Sequence, residues 1–156
     1  MIQRAQSVYL FLIVVLMSFY LIFPIINFGS GDEMQYNFYS YALKKVTDGE
    51  AQKILSSWPL FFLVLVIAGI SFYNIFLFHK RMLQMRLCVY NILLLIGLLG
   101  LTYFYFRHIQ KSFDVTHHAF KIGIIFPVLS IALSIMAFSG IRRDELLVKT
   151  YERLRK

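Results

Sequence analysis

A short basic link between two apolar runs constrains this chain more than any other feature. Residues 59–78 and 87–106 carry no charged side chain, and the link between them contains Lys80, Arg81 and Arg86. A helix of twenty residues extends about 30 Å, which matches the hydrocarbon core of a bilayer. Because so short a link permits only a turn, the runs are predicted to be antiparallel neighbouring helices. The basic link is expected on the cytoplasmic side of a membrane.

The overall composition supports the same class of protein. Of the 156 residues, 59% are hydrophobic and only 15% are charged, and a soluble domain of this length cannot bury so much apolar surface. The net charge of +8 comes from cations at the ends of apolar runs, a pattern that serves membrane topology and anionic head groups and not nucleic acid. The one cysteine, Cys88, excludes a disulfide within this sequence.

Two further apolar runs complete a predicted set of four spans. Residues 7–29 are too long for the apolar core of a signal peptide and lack its cleavage pattern, and residues 122–141 form the last run. Pro24 is expected to end or kink the first helix. Residues 142–156 are predicted to continue the fourth span as a cytoplasmic amphipathic helix that lies on lipid or docks a partner. The predicted fold is therefore one all-α domain, residues 1–156, an integral membrane four-helix bundle.

The distribution of Lys and Arg predicts the orientation of the bundle. Segments 1–6, 79–86 and 142–156 hold ten of the 16 cationic residues. Segments 30–58 and 107–121 together are longer but hold only the other six. Cytoplasmic segments are richer in Lys and Arg, so both termini are predicted to lie inside.

The longest polar segment, residues 30–58, is predicted to lie outside the membrane. Asp48-Gly49 marks a turn. The residues after it recur at helical spacing and predict a short amphipathic helix leading into the second span: Ala51, Ile54, Leu55 and Trp58. The segment could be a binding surface, but a cap with Tyr and Trp rings at head-group depth is the simpler interpretation.

Side chains able to carry out chemistry are few. The four runs contain no Asp, Glu, Lys, Arg or His, which argues against a transporter, a pump or a proton relay. Their polar residues are expected to join helices by hydrogen bonds: Ser71, Asn74, Asn91, Thr102, Ser130, Ser134 and Ser139. No phosphate-binding loop, nucleophile elbow or catalytic carboxylate pair is present, so we predict no catalytic residues and no enzyme.

The only candidate metal ligands lie together near the outer end of the third span. Asp114, His117 and His118 offer oxygen and nitrogen atoms to zinc, but their spacing fits no established zinc pattern. A polar outer connection accounts for them, and we predict no metal. A bis-histidine haem is not expected because no run supplies a histidine, so no cofactor is predicted. Cys88 is expected to pack and not to react.

Three segments carry a resemblance to a known family: Met1-Ile2-Gln3-Arg4, then Leu83-Gln84-x-Arg86-Leu87-Cys88-x-x-Asn91, and the tail Ile141-Arg142-Arg143-Asp144-Glu145-x-Leu147-Val148-Lys149 with Arg153-Leu154-Arg155. In these residues the chain resembles domain of unknown function 4293, a family of small four-span bacterial inner-membrane proteins with no assigned activity. The likeness covers the whole chain but departs in the outer loops, where Asp114-x-x-His117-His118 has no counterpart. The resemblance implies topology and compartment, a bacterial inner membrane with both termini cytoplasmic, and not a mechanism.

The segments that carry the resemblance all lie on the predicted cytoplasmic side, so this face is expected to bind lipid or protein. The expected contact residues are Arg81, Gln84, Arg86, Asn91, Arg142, Arg143, Arg153 and Arg155. We also expect the tail, from Arg142 and Arg143 onward, to pack beside the 79–88 link as one basic platform.

The favoured function is a non-enzymatic scaffold or accessory subunit that engages a protein partner or membrane lipid, including anionic lipid, and no nucleic acid. The alternative is a subunit or small carrier that holds a quinone, a haem or another small ligand between the spans. In the simplest interpretation, the arginines serve only topology and head groups.

Overall fold

Four helices make up most of the chain. The computed structural model describes residues 3–30, 34–47, 50–77, 80–112 and 117–154. The helices are α1 (Gln3–Ile22), α2 (Trp58–Phe76), α3 (Arg81–Ser112) and α4 (Ile125–Leu154). One turn of 3₁₀ helix, Ile122–Ile124, leads into α4. From there α4 continues without a break through residues 142–154, as predicted for the tail.

The remaining elements form a small antiparallel sheet. Its strands are β1 (Ile26–Ser30), β2 (Met34–Phe38), β3 (Ala42–Thr47), β4 (Glu50–Ser56) and β5 (His117–Phe120). They are arranged in the order β4-β3-β2-β1-β5. The all-α prediction is therefore wrong for the segments outside the helices. The short amphipathic helix predicted after Asp48-Gly49 is also wrong, because those residues form β4 and pair with β3.

Alternation of burial explains why the segment after α1 forms strands. Ile26 and Phe28 are buried on either side of a less buried asparagine, and Tyr36 and Phe38 repeat the pattern in β2. A period of two places alternate side chains on one face of a sheet. Rings on that face pack over the end of α3: Phe28 stacks on Phe106 at 5.8 Å between ring centroids. The sheet thus covers one end of the helices.

The four helices pack as a ring in which each contacts its neighbours in sequence and α4 closes against α1. The buried face of α3 shows the spacing of three and four residues that marks one helical stripe: Gln84, Cys88, Asn91, Leu95, Leu98, Thr102, Phe106 and Ile109. The middle of the core is apolar, as at Ile13, Val64 and Leu98. Large apolar side chains such as Phe62 and Leu93 are exposed on the outside of the ring, as expected for helices that face lipid.

The ring has two different ends. The end of α2 and the start of α3 lie together at one end, which we call the hairpin end. The sheet lies at the other, the sheet end, where α1 and α3 finish and where α2 and α4 begin. The predicted antiparallel hairpin of the second and third helices is confirmed, although Arg81 and Arg86 already belong to α3.

Three helical stretches are long and apolar enough to cross a membrane: Trp58–Phe76, Arg81–Ser112 and Ile122–Leu147. They suggest a membrane protein. The apolar stretch of α1, Gln6–Ile22, is shorter. The predicted first span extended too far, to residue 29. The helix stops before Pro24, and the chain then enters β1.

Candidate functional site

The hairpin end brings together residues from distant parts of the sequence. Arg81, at the start of α3, is half-buried, and its Nη1 donates a hydrogen bond to the backbone oxygen of Asp144 on α4 at 3.3 Å. This bond fixes the position of α4 along the axis of the bundle relative to the start of α3. Arg142 and Arg143 therefore lie at the same end of the ring as Arg81, the arrangement predicted for the basic platform.

A second hydrogen bond joins α1 to the same point of α4. Gln6 Nε2 donates to Asp144 Oδ2 at 2.6 Å, and both side chains are buried. Gly140, one turn before Asp144, allows the close approach of the two helices, because a Cβ there would lie 3.2 Å from Gln6 Cγ. Asp144 thus connects α1, α3 and α4: its carboxylate binds Gln6 and its carbonyl binds Arg81.

The cations around this point face outward. Arg86, Arg142 and Arg143 are exposed. A guanidinium is a planar donor that matches phosphate and carboxylate oxygens, so a group of exposed arginines suits anions with these oxygens. The backbone of Arg153 continues α4, while Arg155 lies outside the described residues, so their contribution remains a prediction.

Gln84 and Asn91 do not belong to this exposed face. Their exposed fractions are 3% and 2%, because both lie on the stripe of α3 that faces the other helices. Gln84 Nε2 donates to the backbone oxygen of Asn74 on α2 at 3.2 Å. Both side chains therefore face other helices and not the exposed surface, and their predicted contact with a partner or lipid stays a prediction.

The buried amides join helices instead, as the sequence predicted for polar residues within the spans. Asn91 Nδ2 lies 3.0 Å from Ser71 Oγ on α2 and 3.5 Å from Ser134 Oγ on α4. Asn74 Nδ2 donates to Cys88 Sγ at 3.2 Å, so Cys88 packs in the interior. The Oδ1 atoms of Asn74 and Asn91 are buried without a partner among the described residues. A polar seam, defined by these five residues, therefore runs between α2, α3 and α4.

The sheet end carries aromatic rings around a lysine. Lys44 Nζ lies 5.1 Å from the ring centroids of both Tyr39 and Tyr41, a cation–π arrangement. A hydrogen bond with Tyr41 raises the pKa of Lys44, so its amine stays charged. Lys53 faces Lys44 across β3 and β4, and like charges in that position are unfavourable. The rings offset part of this repulsion, which is consistent with a cap.

The predicted absence of metal remains a prediction. His117 and His118 lie in β5, whereas Asp114 falls outside the described residues. The structure therefore does not test whether the three side chains come together.

Sequence reasoning did not identify Gln6 and Asp144. The burial of Asp144 had a signal in the sequence, however. The buried positions of α4 follow a spacing of four, three, four and three residues, from Ser130 through Ser134, Ala137 and Ile141 to Asp144. That stripe continues past the predicted end of the fourth span. Asp144 was assigned to the amphipathic tail helix because the predicted span ended before the first charged residue.

The family pattern covers this whole arrangement. The family described as Domain of unknown function (DUF4293) matches residues 2–154, which include both ends of the ring. A comparison with curated proteins finds no match. The chain therefore belongs to the DUF4293 family, as its resemblance indicated.

Proposed function

We propose that this protein is a non-enzymatic scaffold or accessory subunit of a bacterial inner membrane whose hairpin end binds anionic lipid head groups. One observation carries the proposal: exposed arginines are held together at one end of the ring. Arg86, Arg142 and Arg143 reach outward there, while Arg81 and Gln6 fix α4 in place. A surface built in this way is suited to phosphate groups in a plane.

The proposed membrane position uses all four helices. Three are long enough to cross, and α1 extends about 26 Å along its apolar stretch at 1.5 Å per residue. Gln6 contacts Asp144 at the hairpin end, and Phe23 contacts Phe126 at the sheet end, with 5.9 Å between ring centroids. Since α1 runs beside α4 from Phe126 to Asp144, we propose that it spans as well. Both termini then lie with the hairpin on the cytoplasmic side, in agreement with the Lys and Arg distribution.

The exposed arginines at the hairpin end attract external anions, in addition to the half-buried carboxylate of Glu145 on α4. Each Lys or Arg close to an anionic leaflet contributes about 1 kcal/mol, and the contribution falls with salt. Asp144 is buried and bonded to Gln6, so it does not neutralise the exposed arginines directly. Lipid phosphates at the same depth supply the compensating charge.

The alternative, a ligand between the helices, has one observation in its favour. The unpartnered Oδ1 atoms of Asn74 and Asn91 could accept from a small polar molecule. However, the amide nitrogens of both residues already bind neighbouring helices. We therefore favour a structural role for the polar seam.

We expect the triple variant Arg86→Gln, Arg142→Gln, Arg143→Gln to lose its enrichment in anionic lipid. Removing three cations removes up to about 3 kcal/mol of attraction to anionic head groups. The parent and the variant are extracted from native membranes in polymer-bounded lipid discs, and the lipids are quantified by mass spectrometry. We expect anionic lipid to be enriched in the discs of the parent and to return to the bulk fraction in the variant.

The matched control removes three exposed cations at the sheet end: Arg107→Gln, Lys111→Gln and Lys121→Gln. We expect this control to keep the lipid preference of the parent. An arginine variant that inserts normally and keeps the same enrichment would overturn the proposal. A variant that keeps the lipids but loses a crosslinked protein would also overturn it, in favour of a protein partner.

A further inference from the structure

A groove opens on the outside of the ring between α1 and α4. It encloses about 650 Å³, within the range of about 300–1,000 Å³ common for small-molecule sites. Its walls include Gln6 and Tyr9 on α1 and Ile135, Met136, Ser139 and Arg143 on α4.

The groove changes in polarity along its length. Leu147 lies at the hairpin end of the groove, and Arg143 lies one turn inward from it. Ser139 comes one further turn toward the middle of the ring, and Ile135 and Met136 lie one turn beyond Ser139. Eight residues of helix separate Arg143 from Ile135, a rise of about 12 Å. From Arg143 inward, the groove thus runs from a cation through a hydroxyl to an apolar floor, the order of phosphate, ester and acyl chain in a phospholipid.

The polar side chains of the groove differ in whether they already have a hydrogen-bond partner within the protein. Gln6 already donates to Asp144, so it forms part of the wall. Arg143 is exposed, and among the described side chains that line the groove it is the charged one. Its positive charge favours an anionic occupant.

We propose that this groove holds one anionic phospholipid of the cytoplasmic leaflet, with its phosphate at Arg143 and one acyl chain along Ile135 and Met136. The inference rests on the proposed function for its orientation, and it adds a single defined site to a general preference of the face. A second protein helix in the groove would bring an apolar surface against Arg143 and desolvate its charge. A lipid avoids this cost, because its phosphate matches Arg143 and its chain matches the apolar floor at Ile135 and Met136.

Native mass spectrometry of the full chain, with phosphatidylglycerol or phosphatidylcholine added to the detergent-purified protein, tests the site. We expect a one-to-one complex with phosphatidylglycerol. Ser139→Trp places an indole in the groove and should reduce the occupancy of that complex at least tenfold, equivalent to about 1.4 kcal/mol. Arg143→Gln should leave lipid binding but reduce the preference for phosphatidylglycerol over phosphatidylcholine to near unity.

Gly97→Trp is the matched control, because Gly97 is exposed on α3 and a Cβ there meets nothing within 4 Å. It should bind phosphatidylglycerol as the parent does. Circular dichroism establishes that each variant keeps its helices, and the Arg143→Gln result stands if Ser139→Trp does not fold.

Several results would contradict the site. Full occupancy in a folded Ser139→Trp, an unchanged preference in Arg143→Gln, or a bound mass equal to a free fatty acid would each overturn it. The groove site and the general lipid preference of the hairpin end are tested by different variants, so one can fail without the other. Ser139→Trp retains all the arginines of the hairpin end, so it should lose the one-to-one complex while keeping the anionic enrichment of the surrounding lipid. If only the triple arginine variant loses the enrichment, the general preference of the hairpin end for anionic lipid is supported and the groove site is not.

Discussion

Gly123→Ala is expected to lower the free energy of unfolding by about 1–3 kcal/mol, the usual cost of overpacking. A Cβ at this position would lie 2.6 Å from the backbone oxygen of Pro24 and 3.0 Å from Ile25 Cα. Both atoms belong to the backbone, so no side chain can rotate away. The adjacent Lys121 amide also donates to the oxygen of Ile25 at 3.0 Å, which holds the two segments together. The clash therefore falls where the sheet joins α4.

Gly97→Ala is the control for this prediction. Nothing lies within 4 Å of a Cβ at Gly97, and alanine in a helix is favoured over glycine by up to about 1 kcal/mol. Reversible unfolding in mixed micelles, followed by circular dichroism, should show the two substitutions moving stability in opposite directions. If Gly123→Ala is as stable as the parent, the close approach of these segments is incorrect.

Gln6→Leu is expected to destabilise the hairpin end by about 1–3 kcal/mol, because it leaves the buried carboxylate of Asp144 without its donor. Hydrogen exchange should increase at the start of α1. The double variant Gln6→Leu, Asp144→Leu should recover most of the loss, because replacing both partners with apolar groups removes the unsatisfied carboxylate.

Gln52→Leu provides the comparison at an exposed position on β4, where substitutions usually change stability by less than about 0.5 kcal/mol. Equal effects of Gln6→Leu and Gln52→Leu would show that the hydrogen bond does not stabilise the end. A double variant no more stable than Gln6→Leu would show that the carboxylate has another role.

The helices could be predicted from the sequence because their signal is local. Each long apolar run without charge contains a helix, three of them of membrane length, and the short basic link between α2 and α3 permits only a hairpin. The end of the first helix was misplaced because the apolar sequence continues past Pro24 into β1. Hydropathy alone cannot separate a buried strand from the end of an apolar helix.

The sheet was missed for a related reason. Four residues after Asp48-Gly49 fit a helical spacing, whereas strand formation there depends on pairing with β3, a contact that no short window contains. A local signal did exist in the repeated alternation around Asn27 and Asn37, which lie opposite each other in β1 and β2. The part around Asn27 was assigned to the end of the first span, and the part around Asn37 was interpreted as interfacial aromatic residues because that segment is rich in tyrosine.

The candidate site was predicted in part. Charged residues at the hairpin end could be identified by position, since cations between apolar runs mark one side of a membrane. Gln84 and Asn91 were grouped with them because they belong to the segment around Arg86 that carries the family resemblance. Their helical phase places them on the buried stripe of α3 instead, where they join helices. Phase within a helix, and not distance along the chain, separates the binding surface from the interior.

The orientation of the two ends is the central claim, because both lipid proposals require the arginines to lie at the cytoplasmic leaflet. The single-cysteine variants Arg86→Cys and Gln52→Cys report on which side of the membrane the hairpin end and the sheet end lie, since both positions are exposed. Cys88→Ser provides a suitable background, because a serine hydroxyl can still accept from Asn74. We expect a membrane-impermeant maleimide applied to intact cells to label Gln52→Cys, and to label Arg86→Cys only after permeabilisation. Labelling of Arg86→Cys in intact cells, with Gln52→Cys protected, would contradict the account.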